Sequence, residues 1–214
     1  MAQDHAASIS ASVIRVSQLA ADGTIVKGPS ASYVTDGFIQ LTITPVYEAG
    51  TEYTQKNASG QVAATFLTPD TLKHVTVALG ITEPDPELTA MLTGQGLITD
   101  LSGNSVGWAA SQIGVDSNPN GVAVEVWSNA IVNGRPAAVN PYWQWILPAV
   151  KLQLTGNRVI QEGLLATDFT GTGTPNSGFG TGPGAPTWQY ISDRAYAYAR
   201  CATIPTGKGY QAVS

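Results

Sequence analysis

The residues able to do chemistry are few, and their spacing supports little of it. Two histidines, His5 and His74, and one cysteine, Cys201, occur in 214 residues with no HExxH or GxSxG pattern beside them. A zinc site or a nucleophile triad therefore lacks its parts. His5 sits in a polar N-terminal stretch, and His74 falls on the more polar face of a strand, where a hydrogen-bonded structural imidazole is the expected role. A lone cysteine forms no intramolecular disulfide, which suits a reducing compartment, and Cys201 reads as a small packing residue. Glu83, Asp85 and Glu87 are raw material for a calcium loop or an acid/base pair, but Pro84, Pro86 and a capping role for Asp85 account for them. The segment 202–209, ATIPTGKG, lacks the first glycine and the final hydroxyl of a phosphate-binding loop. The glycines from Gly171 onward have no GxGxxG spacing and do not lead from a strand into a helix, so dinucleotide binding has no support. Asn57-Ala58-Ser59 is a glycosylation sequon only in a secreted chain. The expectation is a protein that is not an enzyme, with no catalytic residue, cofactor or metal.

Attention then moves to the elements. Residues 71–94, TLKHVTVALGITEPDPELTAMLTG, change hydrophobic period within one segment. Val75, Val77, Leu79 and Ile81 alternate with His74, Thr76 and Ala78, the pattern of a strand with one buried face. Asp85 is placed to cap a helix that starts at Pro86, with Glu87 at the positive end of its dipole. Leu88, Met91 and Leu92 follow at helical spacing, and Gly94 closes the helix in a left-handed conformation. So short a helix has to pack on a sheet.

The rest of the chain reads as that sheet. Residues 1–8 form an arm and 9–19 a first strand, with a turn at Ala21-Asp22-Gly23. Residues 25–34 are a weaker strand broken at Gly28-Pro29. After Asp36-Gly37 comes a strand with Ile39, Leu41 and Ile43 on one face and Phe38, Gln40, Thr42 and Thr44 on the other. Pro45 ends regular pairing, 45–60 form a projecting loop or hairpin, and 61–66 form a strand. Val122, Val124 and Val126 alternate with Glu125 and Trp127. Asn133-Gly134 is a turn, and 142–154 a long strand bent at Pro148. Residues 165–186 are rich in glycine and read as an irregular loop, 188–200 as a closing strand, and 202–214 as a tail. Many short strands and one helix give a mainly β domain over 1–214, a sandwich or barrel.

Charge narrows the function. Only 12% of the residues are charged, against roughly 25% in a typical soluble domain. Between residues 101 and 150 the only charges are Asp116, Glu125 and Arg135. Charge depletion beside abundant Tyr, Trp, Thr and Asn is the makeup of an interface, so self-association is expected. A net charge of −5 argues against a surface that grips nucleic acid. The polar first residues and the absence of a long apolar run suggest a soluble, non-secreted chain with no membrane partner.

Three segments in this order, TLKHVTVALGITEPDPELTAMLTG, PYWQWILPAVKL, and GLLATDFTGTGTPNSGFGTGP followed by Trp188, resemble the major tail (tail tube) proteins of long-tailed bacteriophages of actinobacterial hosts. EAGTEYTQKNASG is similar too. The resemblance covers about half of the chain. It implies a tail-tube-type β-sandwich or barrel with a flanking helix and long loops. Hexameric rings would join their inner strands into one barrel and stack into a hollow tube that conducts DNA. It further implies that the chain's partners are copies of itself, the tape-measure protein and the tail terminator or tip proteins, and that it resides in the virion after synthesis in the host cytoplasm. The loop 48–60 corresponds to the one that similar proteins use to engage the adjacent ring.

Two expectations about sites follow. Glu48, Thr51, Glu52, Tyr53, Gln55, Lys56 and Asn57 form a ring-stacking patch, an aromatic anchor among groups that hydrogen-bond. Residues 38–44 and 121–128 belong to the sheet nearest the lumen, with Gln40, Thr42, Thr44 and Glu125 facing the bore. The alternative from another class is a carbohydrate- or receptor-binding β-sandwich that uses exposed Trp and Tyr for stacking. A hydrolase is the weakest reading, because no acid pair has a supporting nucleophile or metal ligand.

Overall fold

The alternation of Val75, Val77, Leu79 and Ile81 becomes a strand with these four side chains at most 3% exposed, and the architecture grows outward from it. The computed structural model describes residues 5–82, 85–155, 167–184, 188 and 190–214. In chain order it contains β1 (Ala7–Gln18), β2 (Gly28–Thr35), β3 (Phe38–Glu48), β4 (Glu52–Lys56), β5 (Val62–Leu67) and β6 (Thr71–Ile81). Then come α1 (Pro86–Thr93), β7 (Leu97–Thr99), β8 (Ser105–Trp108), β9 (Val122–Val132), β10 (Arg135–Pro136) and β11 (Tyr142–Leu154). The last elements are β12 (Thr167–Thr174), a 3-10 turn (Ser177–Phe179), β13 (Ala197–Cys201) and β14 (Gly209–Val213).

The fold is mainly β. Ten strands form one antiparallel sheet in the order β14-β2-β1-β9-β11-β12-β6-β3, with β10 beside β9 and β13 beside β11. The long strand β11 turns the corner. β9 follows it as far as Val150, across a register break between Leu147 and Val150, while β13 pairs with it before Pro148 and β12 after. A strand that changes layers at a bulge is how a sandwich makes its corner. Ile14 and Val16 of β1 therefore share one core with Val77 and Leu79 of β6, although three strands separate β1 from β6 in the sheet.

Helix α1 seals that core with Leu88, Met91 and Leu92. Its start is fixed by Asp85, whose carboxylate accepts from the N–H groups of Glu87 and Leu88 at 3.0 and 3.1 Å. Its end is fixed by Gly94 at φ +68°, whose N–H donates to Ala90. On the other face of β9 and β11, the segment after β12 lays Phe179 and Tyr190 over Leu19, Ala123 and Ile146 as a second, smaller core.

Several sequence expectations need correction. The glycine-rich stretch 165–186 is no loop in its first described part, since Thr167–Thr174 is β12, an inner strand between β11 and β6. Glycine is required there by close approach. A Cβ on Gly171 would stand 1.8 Å from the Lys151 carbonyl oxygen, and one on Gly173 would stand 2.7 Å from a Val75 methyl. Residues 165–166 and 185–186 lie outside the described residues. Pro45 does not end pairing, because β3 runs on to Glu48 as the edge strand of the sheet, where a missing N–H costs no ladder bond. Ile39 is 54% exposed rather than in line with Leu41 and Ile43, because a bulge between Phe38 and Gln40 turns Phe38 inward in its place. The closing strand is only Ala197–Cys201, and the tail supplies β14, which pairs with β2. Ala7 and Ser8, read as part of an arm, already belong to β1.

Candidate functional site

The groups with chemical potential are absorbed into structure. Asp85 caps α1 and also accepts from the Tyr33 hydroxyl at 2.6 Å, and burial together with that bond raises the Tyr33 pKa well above its ordinary value. The Glu87 carboxylate accepts from Ser105 Oγ at 2.7 Å, which ties the β7–β8 hairpin to α1, while Glu83 lies outside the described residues. His74 stands half-buried opposite Val46 in the β3–β6 ladder, and His5 is exposed. Cys201 is buried, and burial pushes its thiol up, so it is a poor nucleophile. Tyr190, pushed up to about 12 mainly by burial, donates to the Arg194 carbonyl. Among the described residues, no group of three or more His, Cys, Asp or Glu could hold a metal. Among them, too, no helix is long and apolar enough to cross a membrane.

Glu125 requires the largest correction. The sequence places it at a lumen, yet it is 2% exposed and sits inside the fold. Both faces of β9 are covered, so alternation along it does not separate core from solvent. The Arg15 guanidinium donates to both Glu125 oxygens at 2.7 and 3.0 Å. Gln144 donates to the same carboxylate at 2.8 Å and accepts from the Trp188 indole at 3.1 Å. Arg15 also lies over the Trp127 ring, 5.1 Å from its centre. This satisfied network anchors the covering segment. Gln40, Thr42 and Thr44, the other residues expected at the bore, are exposed on β3, which ends the sheet among the described residues.

The expected stacking patch takes a definite shape. β4 and β5 form a separate two-stranded hairpin, and every residue of both strands is exposed. It continues the β3–β6 ribbon past a narrow waist. There Gly50 N–H donates to Asp70 at 2.8 Å and Thr51 N–H to Thr68 Oγ1 at 2.7 Å. Glu48 ends β3 at the waist, 4.0 Å from Lys73. Register gives the arm two different faces. Tyr53 pairs with Phe66 and Gln55 with Ala64 on one, whereas Glu52, Thr54 and Lys56 lie on the other. Asn57 departs from its expected role, because its side-chain oxygen accepts from Ser59 N, Ser59 Oγ and Gln61 N and so shapes the tip.

Sequence reasoning ended the arm at Gly60 and so missed its returning half. Val62, Phe66 and Leu67 are 57%, 63% and 63% exposed. The signal was present: 62–67 pairs with 52–56 across a short polar turn, so the two runs form one hairpin rather than a loop and a body strand. A second bare stretch was also missed. Residues 101–115 carry no charge, and Leu101 and Ile113 in it are fully exposed. Comparison with known proteins finds no matching family model and no matching curated sequence.

Proposed function

We propose that the chain is a structural virion protein, the tail tube subunit of a long-tailed bacteriophage, which assembles into stacked, six-membered rings around a conduit for DNA. The observation that carries this reading is the β4–β5 arm, which holds Tyr53, Val62, Phe66 and Leu67 in water on strands with no exposed-to-buried alternation at all. A lone two-stranded hairpin is marginal in water, and large apolar side chains on it call for a partner surface. The edge of the 11-residue strand β3, unpaired among the described residues, points the same way, because a long open edge invites another strand. Copies of the same chain supply both needs in a ring and a stack, where each contact is repeated by symmetry. An acidic subunit suits DNA that must slide past without being held. The tape-measure, terminator and tip proteins complete the set of partners, and the location is the virion.

Negative-stain microscopy of the purified chain tests this, with rings or tubes as the expected outcome. Replacing residues 51–57 with a short Gly/Ser turn leaves the circular dichroism of the sandwich intact and abolishes the tubes. Normal tubes from that variant would remove the stacking role from the arm. The second reading, a carbohydrate- or receptor-binding sandwich, draws on Tyr198, 53% exposed and stacked 4.4 Å from Trp145. It predicts discrete particles that bind glycans.

A further inference from the structure

The sandwich is open on one side. Between the start of β3 and the body lies a groove of about 340 Å³ walled by Phe38, Leu41, Ile43, Val126 and Trp145, with Ser8, Ser10 and Ser128 also lining it. None of these residues is charged. The groove is bordered by two strands that each keep an edge unpaired among the described residues. β3 ends the sheet order, and β2 pairs with β1 only along Ile14–Ser17, which leaves the first half of β1 without a partner on that side among the described residues. Ser10 at φ +53° and register breaks on either side of Ala11 make that half irregular, so the sheet does not close over the groove by itself.

We infer that this groove is the socket for the arm of a second copy of the chain, entered by the Tyr53/Phe66 face of β4–β5. The inference rests on the assembly reading above and adds to it the surface that the arm engages. Three observations select the occupant. A site flanked by two free strand edges fits a β-ribbon, which can add backbone pairing to apolar contact. The chain owns such a ribbon, and all of its strand residues are bare. The charge match is face-specific, because an uncharged groove accepts Tyr53, Gln55, Ala64 and Phe66 without stranding an ion, whereas the opposite face would bring in Glu52 and Lys56. Arm and socket are different surfaces of one molecule, so the contact is head-to-tail, and repetition yields closed rings or open stacks rather than a two-fold dimer.

The test is cross-linking between two full-length variants, Ala64→Cys on the arm face and Ser10→Cys at the groove, mixed under assembly conditions and mildly oxidised. Both changes are small and leave Tyr53 and Phe66 in place, and the native Cys201 is buried. A disulfide-linked heterodimer is expected, at least ten-fold more abundant than with Thr65→Cys, which lies on the opposite face of the same strand. Circular dichroism confirms that each variant is folded before mixing. Assemblies that form with no Ala64–Ser10 preference over Thr65 would overturn the socket and leave the assembly reading standing. A wild-type chain that forms no rings or tubes would defeat both.

Discussion

Strand β9 and the arm make an instructive pair. β9 contributes 11 residues to the sheet and the arm's strands contribute 5 and 6, all of them β-pairing segments with polar and apolar residues mixed. In β9 even a carboxylate is sealed from water, while in the arm even Phe66 is 63% exposed. The difference lies in neighbours rather than in residue type. β9 has a strand on each side and a packed layer over each face, whereas among the described residues each arm strand has one neighbour and no layer. Residues of the first kind hold the fold together, and residues of the second kind add no buried contact to it.

The largest expected effect tests the sealed side. Glu125→Ala strands the Arg15 guanidinium and frees Gln144, and a loss of about 3–5 kcal/mol is expected in denaturant unfolding. A loss below about 1 kcal/mol would mean that the network is far less desolvated than its geometry implies. Next, Gly171→Ala drives a methyl into the Lys151 carbonyl and is expected to cost about 1–3 kcal/mol, read as a lower unfolding midpoint. Asp85→Ala removes the cap of α1 and the acceptor of the Tyr33 hydroxyl, for about 1–2 kcal/mol in the same assay. On the bare side, Tyr53→Ser with Phe66→Ser shifts stability by no more than about 0.5 kcal/mol, while tubes disappear from micrographs. A destabilisation matching that of Glu125→Ala would erase the contrast between the two regions.

The smallest effect concerns pH. The hydrogen bond from Lys208 holds the Asp36 carboxyl below its ordinary value, so the pair is stabilising above the usual carboxylate range and is lost as pH falls through the lowered pKa. Both partners are exposed, so Lys208→Met is expected to lower the neutral-pH midpoint only marginally and to leave the midpoint below the lowered pKa unchanged, which flattens the acid limb of the unfolding profile slightly. This pair tethers the segment before β14 to the β2–β3 turn. A large acid shift would show that β14 matters more to the sheet than its position at the edge suggests.

The strand and helix of residues 71–94 were legible because every signal in them is local: a two-residue alternation, an Asp-Pro start and a glycine stop. Glu125 was not, because its partner Arg15 lies 110 residues away in the chain, and a charge in an alternating run reads as solvent-facing until that partner is known. β12 was hidden by composition. Its glycines lower strand propensity, and the reason for them, the Lys151 backbone and Val75 pressed against it, belongs to neighbouring strands. The arm was half legible, since polar excess marks a projection but the register that joins Tyr53 to Phe66 depends on where the turn falls. The mainly β class survived these errors because strand count and turn spacing tolerate local mistakes.

The waist at Gly50 and Asp70 has a consequence for how such a chain can diverge. Beyond it no residue of the arm's strands is buried, so adding or deleting matched pairs of residues there disturbs no core. The remaining penalty is loop entropy, which grows by only about 0.6 kcal/mol for each doubling of length. Each added pair moves the tip outward by about 3.4 Å. Reach is therefore a nearly neutral variable that mutation can adjust in small steps, independent of the sandwich that carries it.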